Sequence, residues 1–158
     1  MSPTPPKRRT RVRAAGAGAT GAAVAEPLKA VSTASPNSRI LVVGQLVRPS
    51  PSFVEILVAQ DPAMRERLTG TGECDFYAPD GRLAKEHFDT LTSIIEGYEA
   101  EQARVCATVP NCRTDNGVRA AYADRLENFS SDWSHLNVHG QATAAKLIWP
   151  VAAAQLKL

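Results

Sequence analysis

The run Ile40-Leu41-Val42-Val43-Gly44-Gln45-Leu46-Val47 constrains the fold of this chain more than any other stretch. A strand with one wet face alternates apolar and polar residues. A run that is aliphatic on both faces suits a strand buried on both sides, as in a parallel sheet covered by helices. Arg48-Pro49-Ser50-Pro51 then breaks it. At 158 residues the chain has room for one hydrophobic core, so the run predicts a single α/β domain.

The clearest helix follows the same logic at a different period. Leu83, His87, Leu91, Ile94, Ile95, Tyr98, Gln102 and Val105 recur at three and four residues, with charged residues between them. This pattern predicts an amphipathic helix from Arg82 to Ala107 packed on a sheet, with His87 partly buried in its apolar stripe. Between these two elements the reading is open: Phe53 to Ala59 fits a short strand or a helix. Asp61-Pro62 caps a helical turn running to Leu68, and Gly70, Gly72, Pro79 and Gly81 mark a long loop. Asp115-Asn116-Gly117 is a turn signal, Val118 to Tyr122 a short strand, and Val138 to Trp149 a final helix stopped by Pro150. The alternation of strand and helix is that of a layered α/β fold.

Residues 1–38 carry no sustained apolar period and read as a tail. A basic stretch (Lys7 to Arg13), an Ala/Gly-rich run (Ala14 to Ala25) and the small-x-small end Ala23-Val24-Ala25 fit a degenerate signal peptide or a disordered arm, and both readings stay open. Lys7, Arg8, Arg9, Arg11 and Arg13 also hold the basic excess. Of the 18 Lys and Arg, removing these five leaves 13 against 16 Asp and Glu, so the rest of the chain is mildly acidic and lacks the basic face that nucleic-acid binding needs. No segment approaches the ~18 apolar residues of a membrane span, which predicts a soluble chain. Cys106 and Cys112 flank a Val109-Pro110-Asn111 turn and are spaced to close a small disulfide loop in an exported protein, leaving Cys74 over. With no Cys-x-x-Cys pair, a structural zinc site is not expected.

The chemistry-bearing stretch is Asp132-Trp133-Ser134-His135, followed by Leu136-Asn137-Val138-His139-Gly140-Gln141. On a turn, residues i and i+3 lie side by side. The Asp132 carboxylate is then placed to accept a hydrogen bond from His135 Nδ1, leaving Nε2 to take a proton from a nucleophile. The plainer reading is a helix entry in which Asp132 or Ser134 caps backbone N–H groups beside a surface histidine. His135 and His139, four apart, share a helix face, but the sequence offers no third ligand beyond Asp132, so no metal and no cofactor is expected. Trp133 and Trp149 fit either an acyl pocket or ordinary packing. Asn128-Phe129-Ser130 matches a glycosylation sequon.

In order and spacing these residues resemble the C-terminal half of the SGNH hydrolases, the GDSL lipases and esterases, and look most like secreted actinobacterial members. The resemblance covers residues 39–155 and rests on the strand Ile40 to Val47, the helix Arg82 to Ala107 and the cysteine pair with Cys112-Arg113-Thr114-Asp115-Asn116-Gly117. It also includes Asp132-x-x-His135 with Asn137, Gly140 and Gln141. It implies a partial flavodoxin-like, three-layer sandwich around a parallel sheet, its N-terminal strands missing. It makes Asp132 and His135 the triad acid and base, gives a small-molecule or lipid ester as substrate, and places the protein outside the cell rather than in the cytoplasm. The family's serine sits in a Gly-Asp-Ser motif, and one oxyanion donor in Gly-x-Asn-Asp. Neither motif occurs here, and Ser2, Ser32, Ser35 and Ser38 lie in no such context. Nucleophile and oxyanion donors thus stay unassigned. The expectation is a truncated or frame-disrupted serine ester hydrolase inactive alone, or a non-catalytic accessory or binding protein on the same scaffold.

Overall fold

Ile40–Val42 forms strand β1, which pairs in parallel with β2, Cys112–Thr114, in the register Ile40↔Cys112, Leu41↔Arg113, Val42↔Thr114. The computed structural model describes residues 7–45, 48–72 and 75–156, and among these the sheet has two strands. The chain is therefore mixed α/β with a parallel sheet packed on helices, as the aliphatic run predicts. The strand is shorter than the run and half-buried rather than buried on both faces. Leu46, Val47 and Cys74 lie outside the described residues.

The chain divides into two compact units. The first comprises the residues up to Val43 together with Ile94–Thr114. Here Lys7–Ala34 is a helix, α1, where composition reads as a tail. Alanine has the highest helix propensity of all residues, so an Ala-rich tract needs little apolar patterning to become helical once part of it packs. That packing is visible at Leu28, which joins Ile40 and Val42 against Cys106, Val109 and Cys112, and at Ser32, whose Oγ donates to Asn111 Oδ1 at 2.7 Å. Cys106 ends α4, Lys85–Cys106, close to the bounds set by the three-and-four periodicity.

Cys106 and Cys112 are joined by a disulfide, both 2% exposed, which fixes the turn between α4 and β2. They lie six positions apart, and closing so short a loop in the unfolded chain is worth about 2 kcal/mol. Reduction, or paired Cys106→Ser and Cys112→Ser substitution, should lower the stability of this unit by about that amount. Thermal melts with and without reductant would show it, and an unchanged melt would mean that the turn holds itself.

The second unit comprises Gly44–Ser93 and Asp115–Leu158. Phe53 to Ala59 belongs to a helix, α2 (Pro51–Gln60), because the residues before it are a start signal. Ser50 is extended and its Oγ accepts the Phe53 N–H at 3.2 Å, while Pro51 occupies the first turn, where no N–H is needed. Asp61 Oδ1 accepts the Ala63 N–H at 3.2 Å and opens α3, Ala63–Arg67. One face of α2 buries Phe53 and Leu57 with Met64 and Phe129. Val54 packs instead with Phe76, Tyr77 and Phe88, the rings of Phe76 and Phe88 stacked 4.4 Å apart. His87 is half-buried, as its place in the stripe predicts, and its Nδ1 is bonded to the Asp75 carbonyl oxygen.

Two sequence expectations fail in this unit. Val118–Ala121 is a 3-10 turn rather than a strand: Asn116 and Gly117 take φ of 53° and 75°, and the Asp115 carboxylate accepts the N–H groups of Gly117 and Arg119, curling the backbone. The last helix, α5, runs Val138–Leu156 straight through Pro150. An interior proline forfeits one backbone hydrogen bond, and the alanines at 152–154 are strong helix formers on its far side.

Candidate functional site

The loop carrying Asp132 and His135 is closed at its base by the chain itself. A second 3-10 turn, Leu126–Asn128, leads into Phe129, which forms an antiparallel bridge with Leu136. Inside that bridge Ser130 N–H donates to His135 O at 2.8 Å and Trp133 N–H to Ser130 O at 3.0 Å. Six residues, Ser130 to His135, are thus folded into one tight excursion. Trp133 sits at its tip with φ of 57°, a left-handed conformation that a bulky residue adopts only under constraint. The constraint is its side chain, which packs on the cluster of Phe53 and Phe129 and donates from Nε1 to Asp61 Oδ2 at 3.1 Å. Trp133 is therefore an anchor, while Trp149 is 57% exposed.

With Trp133 turned inward, Asp132, Ser134 and His135 are exposed. Asp132 Oδ1 accepts the backbone N–H groups of Ser134 at 2.9 Å and His135 at 3.0 Å. Asp132 Oδ2 lies 2.7 Å from His135 Nδ1. One carboxylate thus performs both roles read from the sequence, capping the turn and orienting the imidazole. These contacts, the Ser134 N–H first, then the His135 ring and the His135 N–H, hold the Asp132 carboxyl down at about 2. Its folded-state value lies below the ordinary carboxylate range, so its contribution to stability is present above that range and is lost as pH falls through about 2.

The residues after the pair explain the rest of the motif. Asn137 caps α5: its Oδ1 accepts the Gly140 N–H at 2.9 Å, and its Nδ2 donates to Glu127 O at 2.8 Å and Phe129 O at 2.9 Å. Gly140 is buried where α5 crosses Asn128, and Gln141 Nε2 donates to Leu136 O at 3.1 Å. None of these three is a chemical group of the site; together they hold the His135 backbone at the helix entry. Asp61, which fixes Trp133, was not legible as part of the site, because nothing in the sequence links positions 72 residues apart.

No family model, curated protein or solved structure matches the chain.

The His135 imidazole is oriented by Asp132 but faces no further partner among the described residues. The His135 side chain is 82% exposed, and its Nε2 has no hydrogen-bond partner among the described residues. The nearest hydroxyl in sequence, Ser134 Oγ, donates to Asp132 O at 3.3 Å instead. His139 is exposed and lines an open cleft of about 540 Å³ with Tyr122, Arg125, Glu127 and Lys146, a lining that includes neither Asp132 nor His135. Among the described residues no cluster of three His, Cys, Asp or Glu side chains is placed to hold a metal ion, and no helix is long and apolar enough to cross a membrane. Asn128 of the sequon is 3% exposed, its amide turned into the fold.

Proposed function

We propose that Asp132 and His135 are the acid and base of an SGNH-type serine ester hydrolase, and that residues 39–158 correspond to the C-terminal portion of its three-layer domain. The observation that carries this reading is the 2.7 Å contact between Asp132 Oδ2 and His135 Nδ1. In such an enzyme His135 Nε2 deprotonates the serine and later returns the proton to the leaving alcohol. Asp132 holds the tautomer and stabilises the imidazolium, and an acyl-enzyme forms and is hydrolysed. An exported protein is consistent with the Cys106–Cys112 disulfide, since such bonds persist in oxidising compartments.

The sequence has neither Gly-Asp-Ser nor Gly-x-Asn-Asp, so this chain alone should have no measurable esterase activity. A missing triad serine costs on the order of 10⁶ in turnover, and each missing oxyanion donor ~10²–10³. Two measurements test the proposal. The folded chain should neither react with a fluorophosphonate nor hydrolyse a short-chain p-nitrophenyl ester; labelling that disappears in His135→Ala would reveal a working serine and overturn the inactivity. Long-range ¹⁵N NMR above the imidazole titration should find His135 protonated on Nδ1, reverting in Asp132→Ala to the tautomer mixture of a free histidine. A free-histidine pattern in the unaltered chain would remove the acid–base assignment.

A second reading draws on Asp132 also accepting two backbone N–H groups. Here the loop survives as architecture, and the chain is a non-catalytic accessory protein on the hydrolase scaffold. It expects the free-histidine tautomer together with loss of the loop's order in Asp132→Ala.

A further inference from the structure

The segment Asp115 to Asp124 sets a buried guanidinium beside the start of α2. Arg119 is 1% exposed; its Nη2 donates to Gln45 O at 3.3 Å, and its guanidinium carbon lies 4.8 Å from the centre of the Tyr122 ring. The nearby Asp115 carboxylate is engaged by backbone: Oδ2 accepts the Arg119 N–H at 3.1 Å and Oδ1 the Gly117 N–H at 3.2 Å. The hydrogens on Arg119 Nε and Nη1, one on the first and two on the second, have no acceptor among the described residues. An arginine keeps its charge when buried, so such donors call for an acceptor.

Arg119 lines a cleft of about 350 Å³ with Arg48, Ser50, Ser52, Tyr122 and Asp124, the small end of the range for ligand sites. Ser50 caps and Ser52 opens the N-terminal end of a ten-residue helix, whose dipole favours negative charge. Their hydroxyls lie 3.2 Å apart. Two cations, two hydroxyls and a helix N-terminus therefore converge on one space.

We propose that this cleft binds a small oxyanion, the phosphoryl or carboxylate group of a small molecule, with Arg119 as its principal partner and Arg48, Ser50 and Ser52 completing the shell. Charge-assisted bonds from a guanidinium are the strong class of such contacts, and its planar fork matches either anion.

Asp124 makes the site sensitive to pH. Its Oδ1 has no donor among the described residues, and burial pushes its carboxyl up to about 6. Around it lie the Arg119 guanidinium and the Arg48 backbone N–H, which both pull its carboxyl down, and Tyr122, whose hydroxyl is pushed up by burial and stays neutral; Asp115 acts on Arg119. Asp124 is thus the group that changes charge near neutrality: ionised it opposes an anion, protonated it does not. Binding should strengthen as pH falls through about 6.

Sulfate is the probe, because its charge is constant over this range, with acetate as the planar counterpart. Titrated into the full chain and followed by amide NMR, sulfate should saturate with Kd of ~1 mM at about pH 5 and bind about fivefold more weakly at about pH 8. Arg119→Lys should weaken it about tenfold and Arg48→Gln by a smaller factor, while Asp124→Asn should abolish the pH difference. Arg48→Gln and Asp124→Asn keep the proposal testable should Arg119→Lys fail to fold. Saturable binding of sulfate alone assigns a tetrahedral group, of acetate alone a carboxylate, and of both either class. No saturable shift below ~50 mM of either anion, or binding indifferent to Arg48→Gln and to pH, would overturn the site.

Discussion

Phe129→Ala is expected to cost the second unit about 4 kcal/mol, within the 3–5 kcal/mol span of buried phenylalanine truncations. Phe129 is 5% exposed, with its ring centre 5.0 Å from that of Phe53, and it packs in one cluster with Leu57 and Met64. Removing the ring deletes those contacts and leaves a cavity. The walls cannot close easily, since Phe53 and Leu57 are fixed along α2 and Trp133 is tied to Asp61. A whole domain is stable by only about 5–15 kcal/mol, so the loss is large. Denaturant unfolding followed by tryptophan fluorescence should show a lower midpoint with an unchanged slope. A loss below about 1 kcal/mol would show that this cluster is not the support of the loop.

That platform shows how much of the site was legible beforehand. The Asp132–His135 contact follows from i, i+3 spacing on a turn, a local relation that the sequence carries in full. The helix ending at Cys106 was legible from the same kind of evidence, a period sustained over many residues. What escaped depends on neighbours distant in sequence. Cys112–Thr114 is a strand only because Ile40–Val42 lies beside it; Cys-Arg-Thr has no pattern of its own. Val118 and Tyr122 have strand-favouring side chains, yet the Asp115 carboxylate and Gly117 impose a turn. Pro150 is a helix breaker by local rule, overridden by the helix on both sides of it. Asp61 and Trp133 meet across 72 residues, and a left-handed tryptophan is no local preference.

The split between local and distant information also bears on function. The contact that orients the His135 imidazole is made by Asp132, three residues before it, and so is present in this chain. A nucleophile and an oxyanion hole are tertiary features brought from elsewhere in a fold. Neither is found beside His135 among the described residues, where Nε2 has no partner. Under the proposed reading the same chain can thus hold an acid–base pair and lack turnover. For that reason tautomer and activity are measured separately.

Gly140→Ala should destabilise the second unit by about 3 kcal/mol, against the helix rule that favours alanine over glycine by about 1 kcal/mol. A Cβ at Gly140 would lie 2.1 Å from the Asn128 carbonyl oxygen and 3.0 Å from its carbon, both backbone atoms that cannot rotate aside. That carbonyl also accepts the Asn137 N–H at 2.9 Å, and Asn137 caps α5 through the Gly140 N–H. Relief by moving Asn128 would break the cap, and relief by moving α5 would break the Tyr122 hydroxyl bond to Gly140 O at 3.3 Å. Overpacking with no escape falls at or above the upper end of the usual 1–3 kcal/mol, and about 4 kcal/mol of overlap less the propensity gain leaves about 3. Gly97, inside α4 with nothing within 4 Å of its Cβ position, supplies the control. Gly97→Ala should gain about 0.5–1 kcal/mol. Opposite signs from the same chemical change would place α5 against Asn128 as described. If both variants are stabilised alike, the helix does not approach that carbonyl, and the positioning of His135 through Asn137 fails with it.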